Sequence, residues 1–146
     1  MFDYLAKAAA AWFVGFFPLA EIYVAVPAAV ISGLDDVSVI VWTVFGNYTP
    51  IILITFFYQW LLSFKRINGW LSGLASPRTQ QFVDRWGVWF VLFFTPWTGV
   101  WVMAATAKAM GMQNRRFLPA AFVSIFLNAV LILILMRTGI ATFSTG

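Results

Sequence analysis

The sequence contains no cysteine and no histidine. The first absence excludes disulfides and thiolate chemistry, and the second excludes an imidazole metal ligand or a histidine proton relay. Charge is scarce as well: 10% of the 146 residues are Asp, Glu, Lys or Arg, against about 25% in an average soluble domain. Only five residues are acidic, so any proton chemistry falls to a few carboxylates. What fills the chain is apolar, with 62% hydrophobic residues and a mean hydropathy of +0.89. That profile argues against a water-soluble fold, leaves no soluble enzymatic module and implies no cofactor.

Apolar runs cover about residues 8–34, 37–64, 86–114 and 117–136, so one membrane domain, residues 1–146, accounts for the chain. Trp12, Trp42, Trp60, Trp70, Trp86 and Trp89 stand near the ends of these runs, where amphipathic rings prefer the headgroup level. The net charge of +4 does not point to nucleic acid. The basic residues sit in loops beside apolar segments instead of being interleaved on a polar face, which makes them topology determinants. The run that follows Lys7 is too long for a signal peptide and carries Pro18, Glu21 and Pro27, so it is read as part of the mature protein.

Sliding the sequence against itself by 78 positions lays Pro18 on Pro96 and Gly33 on Gly111. Each half then reads as a proline-interrupted apolar segment, a glycine exit, a short polar turn and a longer helix. Repeat 1 covers about residues 8–64 and repeat 2 about 86–138, joined by a cytoplasmic linker over 65–85 that has the composition of a surface loop with a short amphipathic piece. The broken segments, Ala8–Gly33 and Trp86–Gly111, have the length of one crossing if straight and half a crossing if folded back. Pro18, Pro27 and Pro96 remove backbone donors, and lipid does not satisfy the freed carbonyls.

Loop charge separates the two arrangements. If all four segments cross, the basic residues divide between the two faces. If the broken segments are re-entrant hairpins, Lys65, Arg66, Arg78, Arg85, Lys108, Arg115 and Arg116 share one face, and Lys7 and Arg137 lie opposite with Asp3, Asp35 and Asp36. The second arrangement is far more polarised. It predicts an all-α integral membrane protein of two inverted repeats, each a re-entrant helical hairpin followed by a transmembrane helix, with both termini outside the cytoplasm. Inverted repeats with broken helices near the midplane are the recurring plan of secondary transporters.

Glu21 is the one acidic residue deep within an apolar segment, where an ionised side chain costs about 2–3 kcal/mol. It is expected either to carry a proton or hold a cationic group, or to cap the half-helix that begins beyond Pro18. Asn47 and Asn128 lie mid-way along the two long helices, either lining a substrate path or joining helices through their amides. Pro50 is expected to kink its helix beside Asn47. Thr95, Thr98 and Gly99 around Pro96 offer hydroxyls and a permissive backbone at the second break, for a headgroup, an ion or their own helix. Lys108, Arg115 and Arg116 are placed to attract anionic headgroups as well as to set topology.

Taken together, these residues resemble the small multidrug export protein family, a branch of the wider DedA-like group of membrane proteins, over nearly the whole chain. The family's first motif, approximately Glu-Leu-Arg-Gly-Ala-Ile-Pro, is similar to Glu21-Ile22-Tyr23-Val24-Ala25-Val26-Pro27, followed here by Gly46-Asn47 and Pro50. Its second motif, an aromatic-glycine start with a Pro-Gly-Thr-Gly core, is similar to Trp86-Gly87 and Pro96-Trp97-Thr98-Gly99, followed by Gly111 and Arg115-Arg116. Two departures stand out: Tyr23 replaces the motif arginine, which removes any Glu–Arg pairing, and Trp97 replaces a glycine. The resemblance implies facing hairpins in a compact helical body, in a family whose members are linked to moving lipid carriers or ions across bacterial membranes. The expected partners are membrane lipids, a proton or other ion, and a second copy in a homodimer; the expected location is the bacterial inner membrane. A non-transporting scaffold is the alternative, and an intramembrane enzyme lacks the residues for a hydrolytic constellation.

Overall fold

A computed structural model describes residues 2–74 and 76–144, although the side chains of Gln59, Leu61, Trp70 and residues 140–144 lie outside that description, and with them the expected anchor at Trp70. The described residues form α1 (Phe2–Phe16), α2 (Glu21–Ile31), α3 (Asp36–Leu61), α4 (Lys65–Leu74), α5 (Pro77–Thr98), α6 (Val100–Ala109) and α7 (Asn114–Ser144), with no strand among them. Within α3 and α7, the stretches Asp36–Tyr58 and Asn114–Gly139 each contain an 18-residue window of high mean hydropathy, 1.8 and 2.6 respectively. At 1.5 Å per residue they reach about 35 and about 39 Å, enough to clear a hydrocarbon core of about 30 Å. The outside of the fold is apolar too. Phe56, Phe93, Trp60 and Trp97 are 74, 65, 64 and 87% exposed, a distribution suited to lipid rather than water.

The chain divides into two compact units, one of Met1–Asn47 with Ile125–Gly146 and one of Tyr48–Ser124. In the first, α1 and α2 pack together as a hairpin; the buried residues of α1 are all small, Ala8, Ala11 and Gly15, and those of α2 are Ala25 and Ala29 with Ile22, Val26 and Val30. Small side chains let two apolar helices approach closely where no hydrophobic drive exists. The start of α1 is tied to the start of α3: the Tyr4 hydroxyl lies 3.1 Å from Ser38 Oγ and accepts from Trp42 Nε1 at 3.1 Å. The chain therefore runs out along α1 and back along α2. Further along, α1 and α3 touch through glycine. A Cβ on Gly15 would lie 2.8 Å from the Thr43 carbonyl oxygen, and one on Gly46 would strike the Trp12 carbonyl oxygen.

The exit from α2 is a Schellman turn. Gly33 at φ +83° lets its own N–H bond Val30 and that of Leu34 bond Ala29. Asp35 then caps α3, accepting from the Ser38 amide at 3.0 Å and the Ser38 hydroxyl at 2.6 Å. These bonds, the hydroxyl's foremost, hold its carboxyl below the ordinary range. Asp36, the first residue of α3, accepts from Arg137 Nε at 2.9 Å and from Nη2, joining the beginning of α3 to the end of α7.

The second unit repeats the plan. α5 and α6 pack together, and α6 ends in a matching turn in which Gly111 at φ +80° bonds Lys108 and Met112 bonds Ala107. The start of α7 lies against the start of α5: Arg116 Nη1 donates to the Asp84 carbonyl at 2.9 Å, and Ser124 Oγ to the Leu92 carbonyl at 2.9 Å.

The stretch 65–85 is largely helical rather than a loop. Lys65–Leu74 is the expected amphipathic piece, but α5 begins at Pro77 and not near Trp86. Ser76 and Thr79 form a reciprocal capping box with Pro77 in the first turn, a combination that starts a helix.

Candidate functional site

The two hairpins break at positions related by the same offset that pairs Pro18 with Pro96. Among the described non-glycine residues, Glu21 alone has a positive φ, at +48°; the second break turns on Gly99, at φ +78°. Glu21 and Gly99 are 78 positions apart, so positions matched by that offset both take a positive φ. In the second break it falls to glycine, the residue that adopts it freely; in the first it falls to a β-carbon-bearing acid, at about 1–2 kcal/mol.

Around the first break, α1 ends at Phe16 and residues 17–20, with Pro18 exposed among them, form the turn into α2. The carbonyl of Val14, deprived of a donor by Pro18, receives the Phe17 amide at 3.3 Å. Glu21, half-buried, opens α2 with its carboxylate at the positive end of the helix. The preceding Ala20 offers no side-chain cap. Pro27 lies inside a continuous α2 rather than at the break.

The second break departs from expectation in a similar way. Pro96 lies inside α5 and the turn occurs at Gly99. The helix tolerates Pro96 because Ser124 supplies the hydrogen bond that the Leu92 carbonyl loses. The Thr95 and Thr98 hydroxyls donate to Val91 at 2.5 Å and Phe94 at 3.0 Å, four residues back on their own helix, the structural alternative for these residues. Pro50 likewise sits inside α3, whose one non-helical residue is Phe57 (φ −102°, ψ 17°), so the departure from helix lies beyond the proline.

Asn47 is 1% exposed, and its Oδ1 has no hydrogen-bond partner among the described residues. It lies beside the end of α1, where a Cβ on Gly15 would come 3.2 Å from its amide nitrogen. Thr55, two turns further along the same face of α3, also has a buried, unpartnered hydroxyl. Buried polar groups normally find partners, so Asn47 Oδ1 marks a place where a donor is wanted and Thr55 one where an acceptor or donor is. Thr55 and Ser124 escaped the sequence reading, although the spacing of Thr43, Asn47 and Thr55 by four and eight residues puts them on one helix face.

The site residues thus form two sets. Pro18, Glu21, Pro27, Asn47 and Asn128 belong to the first unit; Thr95, Pro96, Thr98, Gly99, Lys108, Arg115 and Arg116 belong to the second. Asn128 is half-buried on α7. Lys108 donates to Asn114 Oδ1 at 2.9 Å and stands 6.0 Å above the Tyr58 ring; Arg115 and Arg116 are exposed at the start of α7.

No curated protein and no solved structure matches the chain. The model of the family described as putative small multi-drug export protein matches residues 21–132, from the strained glutamate through most of α7. The chain belongs to that family.

Proposed function

We propose that the protein is a small membrane transporter of the DedA-like kind, with hairpins that re-enter the bilayer from opposite faces and with Glu21 as its titrating or cation-holding group. The observation that carries this reading is Glu21 itself, a carboxylate in an apolar segment held on left-handed backbone that the matching position gives to glycine. A purely structural cap would be served by Ser or Asn, with no ionisable group to desolvate. Asn47, whose buried Oδ1 wants a donor beside the same hairpin, is the proposed second contact for a proton-bearing or cationic substrate group.

Contacts within the first unit support the hairpin topology. Were all four apolar segments crossings, Tyr4 and Ser38 would lie on opposite faces, and so would Asp36 and Arg137, each pair parted by about 30 Å of hydrocarbon. They lie 3.1 and 2.9 Å apart. With hairpins, α3 and α7 are the crossings and run in opposite senses, which inverts the second repeat. The loop cations then gather on one face, which supports a cytoplasmic assignment for it in a bacterial inner membrane, with both termini opposite. A homodimer belongs to the proposal, because two crossings and two hairpins enclose little interior to shield broken backbone. The transporter performs no covalent chemistry; its cargo is a lipid headgroup or an ion.

The rival reading, a scaffold that organises lipids or proteins, draws on Thr95 and Thr98, whose hydroxyls are engaged within their own helix. Proteoliposomes separate the two. Headgroup exposure and internal pH are followed together for the parent and for Glu21→Gln, with circular dichroism to check folding. Activity in the parent that the folded variant loses supports transport through Glu21; activity that survives makes the carboxylate structural, and an inactive parent favours the scaffold.

A further inference from the structure

Beside the kink at Phe57 in the second unit, α3 and α6 leave an apolar groove of about 490 Å³ lined by Leu53, Ile54, Phe57, Trp60 and Trp101. Its size lies within the range of small-molecule sites, and the described lining side chains are all aliphatic or aromatic. One end carries charge. Lys108 stands seven residues beyond Trp101, two turns along the same side of α6, and its ammonium rests over the ring of Tyr58, the neighbour of Phe57. Of its three N–H donors one goes to Asn114 Oδ1, and among the described residues no carboxylate pairs with it. Arg115 and Arg116 follow in the first turn of the 31-residue α7, which holds no acidic residue. Basic side chains there oppose the helix dipole, an arrangement that an anion relieves.

An apolar trough with a held cation at one end has the polarity of an anionic amphiphile. We infer that the groove holds an acyl chain of an anionic phospholipid whose phosphate lies against the Lys108 ammonium. A zwitterionic lipid brings its own compensating cation, and a second copy of this chain, at net charge +4, brings no excess of negative charge. This lipid is a bound companion of the second hairpin, whatever the protein carries past Glu21.

Native mass spectrometry of the detergent-solubilised protein, equilibrated with equal phosphatidylglycerol and phosphatidylcholine, tests the assignment. The parent retains one phosphatidylglycerol in preference to phosphatidylcholine by about fivefold, the worth of one lysine near an anionic headgroup. Lys108→Gln, on a half-exposed side chain, removes the preference, and Lys108→Arg keeps it. Leu53→Trp, which fills the trough from a partly exposed position, lowers retention of both lipids, with circular dichroism confirming its helix content. Equal retention of the two lipids by the parent, unchanged retention in folded Leu53→Trp, displacement by inorganic phosphate alone, or a lipid-free dimer that dissociates on Leu53→Trp would each overturn it.

Discussion

Replacing Glu21 by glycine is expected to make the protein more stable while removing its carboxylate, and comparison with Glu21→Gln isolates the backbone contribution. Both variants lose the charge, and with it the same attraction to the start of α2. They differ in the β-carbon that must be held at φ +48°. Left-handed backbone costs an L-residue about 1–2 kcal/mol, and glycine returns about 0.5–1 kcal/mol of this through the greater freedom of the unfolded chain. The glycine variant should therefore exceed the glutamine variant by about 0.5–1 kcal/mol, read from reversible unfolding in mixed micelles titrated with dodecyl sulfate and followed by circular dichroism. Gly99→Ala, at φ +78° and ψ 156°, a region essentially confined to glycine, should move the other way by about 1–3 kcal/mol. A glutamine variant as stable as the glycine one would refute the strain, and with it the claim that glutamate stands at this break against the preference of the fold.

Three further outcomes follow from particular contacts. Gly46→Ala drives a β-carbon into the Trp12 carbonyl, which is backbone and cannot rotate away; a loss of about 1–3 kcal/mol is expected, whereas Gly69→Ala, with open space around it in α4, should gain up to about 1 kcal/mol in the same assay. Ser124→Ala strands the Leu92 carbonyl and should cost about 0.6–1.7 kcal/mol; Pro96→Ala restores the missing amide, so a double-mutant cycle should show the two sites coupled. Because Asp35 binds its proton less readily in the folded protein than its ordinary value of 3.8, its contribution is complete above that value and disappears as pH falls through the lower folded value. Asp35→Asn should flatten that acid limb in unfolding measured from about pH 6 to about pH 3.

Much of this plan was legible because proline and glycine carry backbone information directly. Gly33 and Gly111 announced the helix exits, and Pro18 the first break. Pro96 misled because its helix keeps its course when Ser124, distant in sequence, takes the Leu92 carbonyl that the proline frees; Pro27 and Pro50 also lie inside helices. The stretch 65–85 was read largely as a loop because a surface helix has the same polar composition, although Ser76-Pro77 carried a helix-start signature. The apolar, membrane-type character of the chain followed from hydropathy, which also singled out Glu21 as a candidate. Its backbone state did not, yet the offset that pairs Pro18 with Pro96 also pairs Glu21 with Gly99, and a glutamate aligned with a glycine at a chain break is a readable sign of strain. The vacant acceptor at Asn47 had no such sign, since whether an amide is satisfied depends on packing.

Both hairpins turn at a positive φ, but they distribute the demands of that turn differently. In the second, glycine takes the left-handed turn, Ser124 repairs the proline break and two threonines close on their own helix, so its internal bonding is largely met from within. In the first, the turn falls on an ionisable side chain, and a buried amide oxygen nearby has no donor. Stability selection alone should favour the cheaper solution at both breaks, since glycine is available to either. On the reading proposed above, the first hairpin keeps its costly residues for what they do, and the second has the supporting part.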